Sequence, residues 1–190
     1  MILQSEFLKT YEELDSLFEG KNKKGKVTEP QNKLSSNIVD KVLRELQLVP
    51  ISSVFDVPTS TSATGWTVLI PENRAARYKK ELFSFDIFLE RKLIPFIELI
   101  EYNGRPHPRF AREYIKNNNG RAILEIDFGA LRNNQWRGLG FILTKGDTKY
   151  FIIGNLFMKD FQKIMAGSAE VTAANNVYDS VMNKLERLSN

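Results

Sequence analysis

The chain has 190 residues, of which 42% are hydrophobic, and this size suits one compact domain that buries about 70% of its unfolded surface. The absence of cysteine and the presence of a single histidine exclude disulfides, thiol nucleophiles, iron–sulfur clusters, thiolate zinc sites and multi-histidine metal sites. The net charge of +4 lies numerically in residues 21–33, KNKKGKVTEPQNK, which hold five lysines and one glutamate, so the rest of the chain is neutral overall.

The cellular location can be narrowed from what the sequence lacks. No apolar run approaches the roughly 20 residues that a membrane-spanning helix needs, and the N-terminus has no basic segment of the kind that begins a signal peptide. Because a chain without cysteine also fits a reducing compartment, we expect a cytoplasmic protein without membrane contact.

Residues 1–35 are predicted to form a helix and a basic loop that are peripheral to the main domain. Apolar residues recur at helical spacing from Phe7 to Phe18, and Gly20 is a suitable stop for this helix. The lysine-rich segment that follows lacks apolar periodicity and contains Pro30, so we interpret it as an exposed loop. It is either a solvated loop or an arm that contacts phosphate. The lysines assigned to such an arm are Lys21, Lys23 and Lys24.

Residues 36–190 are predicted to form a single α+β domain, with a small antiparallel sheet packed against helices. The first helix begins near Ser36 and ends before Pro50, and residues 66–70, WTVLI, form a short strand. The apolar stretch from Glu72 to Tyr102 predicts two helical pieces separated at Pro95. An interior proline removes a backbone hydrogen-bond donor and clashes with the preceding turn.

A helix with a basic face is predicted from Pro108 to the Asn-Asn-Asn-Gly stop signal at residues 117–120. The apolar residues Phe110, Tyr114 and Ile115 occupy a different face, so the helix can dock while it presents its cations. This basic face is either an ordinary solvated surface or an anion-binding site. The cations on the helix and beside it are Arg105, Arg109, Arg112, Lys116 and Arg121.

Three strands and two helices complete the predicted domain. The strands are Ala122–Phe128, Leu139–Leu143 and Tyr150–Ile153, and the last two form an antiparallel hairpin closed by Lys145-Gly146-Asp147. A short helix over Phe157–Met165 and a long amphipathic helix, capped by Ser168, follow.

The order of residues in the second half of the chain resembles the core of RelE/HigB-type toxins. The run WRGLGFILTKGDTKYFIIGNLFMKD begins at Trp136, follows the strand LEIDF at 124–128 and precedes a helix. The resemblance covers roughly residues 80–188, with Arg137 at the basic position of the family's middle strand and Lys159 at its lysine after an aromatic residue. It implies a small α+β ribonuclease that cleaves messenger RNA, commonly on the ribosome, and that an antitoxin protein inhibits.

Metal-independent RNA cleavage needs a proton acceptor for the 2′-hydroxyl, a cation for the phosphorane and a proton donor for the leaving oxygen. Arginine and lysine suit the second task, and tyrosine, lysine or histidine can serve the other two. We assign stabilisation of the phosphate charge to Arg137 and Arg132, and proton transfer to Tyr150 or His107. The remaining cationic candidates are Lys145, Lys149 and Lys159. No cofactor and no metal site are predicted for this reaction.

Two further functions fit the sequence. Glu125 and Asp127 lie on the same face of one predicted strand and could share a Mg²⁺ ion, as in a metal-dependent nuclease. The function that we place first is non-enzymatic binding. In this hypothesis the chain is a protein of a phage or mobile element that binds nucleic acid or an acidic protein partner through the basic helix.

Overall fold

The computed structural model describes residues 36–55, 65–82, 84–103, 110–131, 134–159 and 164–189. The helices are α1 (Ser36–Glu45), α2 (Ile51–Val54), α3 (Glu72–Glu81), α4 (Phe85–Phe88), α5 (Ile94–Asn103) and α6 (Ala169–Ser189), and a π-helical segment, Leu89–Leu93, joins α4 to α5. The strands are β1 (Leu48–Pro50), β2 (Trp66–Pro71), β3 (Ala111–Tyr114), β4 (Leu124–Leu131), β5 (Asn134–Lys145) and β6 (Thr148–Met158). The predicted helix and basic loop at residues 1–35 lie outside the described residues.

The predicted α+β class is confirmed, but the sheet is larger than expected and mixed. Its six strands have the order β1-β2-β6-β5-β4-β3. The antiparallel hairpin of the prediction is present as β5 and β6, and β4 extends it to a meander. Because the chain between β2 and β6 crosses the sheet, β2 pairs with β6 in parallel, whereas all other pairs are antiparallel.

Two hydrophobic cores lie on opposite faces of the sheet. The first core is rich in aromatic rings from the sheet and from α3 to α5, and Phe88 stacks on Trp136 with ring centroids 4.0 Å apart. The second core joins the other face of the sheet to α1 and α6 through residues such as Phe141, Ile152 and Val181. Residues that alternate along β6, such as Phe151 and Ile152, therefore point to different cores.

The predicted basic helix is wrong for the residues that the structure describes. Ala111–Tyr114 form β3, which pairs with β4 at the edge of the sheet, and residues 116–120 form turns. An apolar run this short fits helical and extended spacing equally, and pairing with the apolar strand β4 favours the strand. Arg112 therefore belongs to a strand, whereas Arg105, His107 and Arg109 lie outside the described residues.

The helical break expected at Pro95 occurs earlier in the chain. The chain leaves α3 at Leu82 and reaches α4 through Ser84, whose φ is +59°. From Phe85 to Asn103 the backbone is helical without interruption, and Ile94 N–H donates to the carbonyl of Leu89 in a π-helical bond. Pro95 has no N–H to offer, and the wider π turn just before it lets the helix continue without a sharp kink.

Strands β4, β5 and β6 extend beyond their predicted ends. Phe157 and Met158 belong to β6, where they pair with Arg137 and Trp136, and Ile164 and Met165 are irregular, so the predicted helix over Phe157–Met165 is wrong where the structure describes it. Residues 129–131 and 134–135 lengthen β4 and β5, with a bulge near Gly129 at φ +76°. The strand pairing continues because the added residues at 129–131, 134–138 and 155–158 gain partners in the sheet.

Several local signals are confirmed. Gly146 and Asp147 form the two-residue turn of the β5–β6 hairpin, and Gly146 has the positive φ, +55°, that such a turn requires at its first position. Ser168 caps α6, because its Oγ accepts a hydrogen bond from Val171 N–H at 3.3 Å.

Helix α3 covers the part of β6 that extends past β2. The Tyr78 hydroxyl accepts a hydrogen bond from Leu156 N–H at 3.0 Å and donates one to Asn155 Oδ1 at 3.1 Å. Arg74 donates to the carbonyls of Gly154 at 2.5 Å and Ala173 at 3.0 Å, which links β6 to α6. Side chains thus satisfy backbone groups that a neighbouring strand would otherwise bind.

Candidate functional site

A cleft of about 290 Å³ lies on the face of the sheet that carries α6. One wall is the segment that leaves β3, and the other is the segment that leads into α6. Its lining residues are Tyr114, Ile115, Lys116, Asn117, Glu125, Ile164, Met165 and Ala166.

The floor of the cleft contains a buried ion pair between neighbouring strands. Glu125 on β4 lines the cleft, and its Oε1 accepts a hydrogen bond from Arg137 Nη1 on β5 at 2.8 Å. The two side chains are only 8% and 5% exposed. The Nε of Arg137 is fully buried and has no hydrogen-bond partner in the described part of the chain. Since buried guanidinium groups are normally fully hydrogen-bonded, Arg137 retains an unused donor beside a cleft-lining carboxylate.

Asp127, the second acidic residue on this face of β4, is held inside the sheet. Its Oδ1 accepts hydrogen bonds from the backbone N–H of Gly129, at 2.8 Å, and from the side-chain amide of Gln135. Among the described residues, no three acidic or histidine side chains form a group that could hold a metal ion. The Mg²⁺ site that Glu125 and Asp127 could share therefore has no third carboxylate or histidine ligand in the described ranges.

The wall after β3 brings a cation and an amide to the cleft. Lys116 and Asn117 are exposed there, and Asn117 has a left-handed backbone with φ +57°. Arg121, at the far end of the same loop, is turned toward α6 and forms a two-pronged ion pair with Asp179 at 2.7 and 2.9 Å. Of the predicted basic face, the structure thus brings Lys116 to the cleft and engages Arg121 in an internal contact.

The opposite wall carries an exposed apolar side chain. Ile164 is buried in the second core, whereas Met165 is 67% exposed beside the cleft. Gly167, with φ +88°, then turns the chain into Ser168 and the start of α6. The wall is therefore continuous with the N-terminus of α6.

Lys159 lies directly after the end of β6. Its backbone N–H donates to the carbonyl of Gln135 at 2.9 Å, and its ammonium pairs with Glu170 at 3.4 Å. Burial alone would raise the pKa of Glu170, but hydrogen bonds from its own backbone, from Ser168 and from Lys159 lower that pKa overall. Lys159 and Arg137 thus lie at the same end of the β5–β6 hairpin, where Phe157 pairs with Arg137.

The other predicted catalytic residues lie at the opposite end of β5. Lys145 Nζ pairs with Asp40 at 2.6 Å, and Lys149 Nζ lies 5.4 Å from the centre of the Trp66 ring. Burial raises the pKa of Tyr150 nearby. Eight residues of extended chain separate Lys145 from Arg137, which corresponds to about 26 Å. These residues cannot act on the same phosphate as Arg137, and Arg132 lies outside the described residues.

Sequence reasoning missed three cleft residues. Glu125 was considered only as a metal ligand, Tyr114 was assigned to the docking face of a helix, and Met165 was assigned to a helix. The alternation of Leu124, Glu125 and Ile126 did indicate that Glu125 faces away from the first core. No signal in the sequence indicated that Met165 would lie opposite β3.

Comparison of the chain with protein-family models, with curated proteins and with solved structures gives no match. The residues of the cleft therefore provide the basis for a functional proposal. Among the helices that the structure describes, none combines the length and apolar character needed to span a bilayer.

Proposed function

We propose that this protein binds RNA in the cleft and cleaves it without a metal ion, as a ribonuclease of the RelE/HigB type. The observation that carries the proposal is the buried Glu125–Arg137 pair, in which the carboxylate lines the cleft and the arginine has an unused Nε donor. Buried ion pairs contribute little to stability compared with apolar replacements, so a function is a good reason to keep one. The pair, followed by Lys159 after β6, has the residue order on which the resemblance rests.

The residues of the cleft can supply each step of the reaction. The Glu125 carboxylate accepts the proton of a ribose 2′-hydroxyl, and the 2′-oxygen attacks the adjacent phosphorus. The bond from phosphorus to the 5′-oxygen breaks, and Lys116 donates a proton to that leaving oxygen. The products are a 2′,3′-cyclic phosphate and a 5′-hydroxyl end.

The ion pair couples proton transfer to stabilisation of charge. While Glu125 is ionised, it holds the guanidinium of Arg137 at 2.8 Å. Once Glu125 takes up the 2′-hydroxyl proton, that attraction is lost and the charge of Arg137 becomes available to the phosphorane oxygens. The stabilising charge is then stronger in the transition state than in the bound substrate, which is the condition for catalysis.

The decisive experiment combines purified protein with labelled RNA in the presence of excess EDTA, both as free RNA and as messenger RNA on ribosomes. We expect cleavage that leaves 2′,3′-cyclic phosphate ends, and no cleavage at a nucleotide whose 2′-hydroxyl is replaced by hydrogen. Glu125→Gln should lower the rate at least 100-fold, because the amide cannot accept the proton. Cleavage that requires added Mg²⁺, or that persists in Glu125→Gln, would refute the mechanism.

A control must separate catalysis from loss of folding. Lys145→Ala breaks an ion pair at the far end of the hairpin and should leave the cleavage rate unchanged. Circular dichroism and a thermal melt of each variant then report the folded fraction. RNA binding without any cleavage by the intact protein would favour the non-enzymatic nucleic-acid-binding function instead.

The resemblance also implies a growth phenotype and a protein inhibitor. Controlled expression of the intact chain should arrest growth, and Arg137→Ala should relieve the arrest. An antitoxin partner would restore growth when it is expressed with the toxic chain. A chain that never affects growth would count against this part of the proposal.

A further inference from the structure

Both walls of the cleft are attached to the same helix, α6. The wall at 164–166 continues directly into α6 through Gly167 and Ser168. The other wall belongs to the loop 115–123, which joins β3 to β4 and is attached to α6 by hydrogen bonds and an ion pair.

The first of these contacts is a reciprocal pair of amides. Asn118 Nδ2 donates to Asn175 Oδ1 at 2.8 Å, and Asn175 Nδ2 donates to Asn118 Oδ1 at 2.7 Å. Asn118 is 6% exposed, so loss of Asn175 would leave a buried amide without these two bonds. Such a pair fixes the distance and the orientation of the loop relative to α6.

Two more contacts continue the attachment along the helix. Arg121 and Asp179 form the two-pronged ion pair, and the backbone of Ala122 hydrogen-bonds to the hydroxyl of Tyr178. On α6 the three partners stand at i, i+3 and i+4, which places them on one face of the helix. The loop is thereby attached at three successive points, of which Asn118 lies next to the cleft residue Asn117.

We propose that these contacts set the width of the cleft, and that Asn118, Arg121, Asn175 and Asp179 are positioning residues for RNA. The inference rests on the proposed function only for the identity of the ligand. None of the four residues lines the cleft. They act through the loop that carries Lys116 and Asn117, while Glu125 and Arg137 are fixed independently by β4 and β5.

The width of the cleft can be measured without RNA, because the chain has no cysteine and introduced cysteines can be labelled selectively. Spin labels at Lys116→Cys and Ala166→Cys, both exposed positions on opposite walls, report the distance across the cleft by double electron–electron resonance. Asp179→Arg places two cations against each other and should broaden this distance distribution. The exchanged pair, Arg121→Asp with Asp179→Arg, should narrow it again.

RNA binding supplies the second readout, measured in the unlabelled variants by anisotropy with a 2′-O-methyl oligonucleotide that cannot be cleaved. Asp179→Arg should raise Kd about fivefold, the factor that corresponds to about 1 kcal/mol of lost restraint. The exchanged pair should recover most of the affinity. In Asp179→Arg kcat should fall as well, because the displaced loop carries Lys116, the proposed proton donor. Asp179→Asn, which preserves the shape of the side chain, should raise Kd by a smaller factor.

The control is Lys145→Ala, which also removes one ion pair but at the hairpin tip. It should change neither the distance distribution nor Kd. An unchanged distribution in Asp179→Arg, or an exchanged pair that regains thermal stability without regaining cleft width, would overturn the proposal. If the intact protein binds no RNA, the proposed function fails, whereas the spin-label distances still decide whether α6 sets the cleft.

Discussion

Removing both charges of the buried pair should separate its effect on stability from its effect on function. In Glu125→Leu alone, the guanidinium of Arg137 stays buried at 5% exposure without its anion, which should lower the free energy of unfolding by about 3–5 kcal/mol. In the double variant Glu125→Leu with Arg137→Met, neither charge of this buried pair remains. Its free energy of unfolding should lie within about 1 kcal/mol of the starting protein or above it.

Equilibrium urea unfolding, followed by the fluorescence of the buried Trp66 and Trp136, measures both changes. The double variant should remain folded and yet show no cleavage of RNA. A matched comparison is Asp179→Asn, which removes a partly exposed ion pair. Its loss should lower the free energy of unfolding by no more than about 1 kcal/mol. A double variant as unstable as the single one would refute the reasoning on stability, and one that still cleaves RNA would refute the proposed function.

Three further predictions concern the sheet and the hairpin. Tyr78→Phe leaves the buried N–H of Leu156 without its acceptor and should lower the free energy of unfolding, measured in urea, by about 1–3 kcal/mol. A change below about 0.5 kcal/mol, the usual size of the effect of a surface substitution, would contradict this. Gly140→Ala places a Cβ 2.7 Å from Phe151 and should lower the melting temperature, with the loss absent in Thr144→Ala on the same strand. Tyr150→Phe should leave the rate of RNA cleavage unchanged, because Tyr150 lies at the opposite end of the hairpin from Arg137. A lower rate would mean that the hairpin tip takes part in the reaction.

Stability should also fall in alkaline solution. Burial raises the pKa of three tyrosines, Tyr78, Tyr150 and Tyr178, above the ordinary value of 10.0. The folded chain therefore holds these protons more tightly than the unfolded chain. The contribution of the three tyrosines to the free energy of unfolding is complete below pH 10. It is lost as the pH rises from there through the folded-state pKa values. Urea midpoints measured from pH 8 to pH 11 should stay nearly constant up to about pH 10 and decline above it.

The elements that sequence reasoning located are those with a long or specific local signal. Helix α6 has an apolar stripe from Val171 to Leu185 and a serine cap, and the β5–β6 hairpin has Gly146 at its turn. These signals depend on neighbouring residues only. Short elements without such a signal were assigned less well, because a run such as 110–115 becomes a strand only through its pairing with β4.

The length of β5 explains why the candidate site differs from the predicted one. The sequence indicated a strand of five residues, Leu139–Leu143, with Arg137 just before it and Lys145 just after it. The strand has 12 residues, so Arg137 lies within the sheet and Lys145 lies at the hairpin tip, about 26 Å away. Residue types alone cannot distinguish these two cases, because arginine and lysine suit both exposed loops and phosphate sites. Inside the sheet, Arg137 needs an anion, and Glu125 on the neighbouring strand supplies it. The same requirement that fixes this ion pair places a carboxylate in the cleft, which makes the floor of the cleft, rather than a basic surface, the place to test for RNA chemistry.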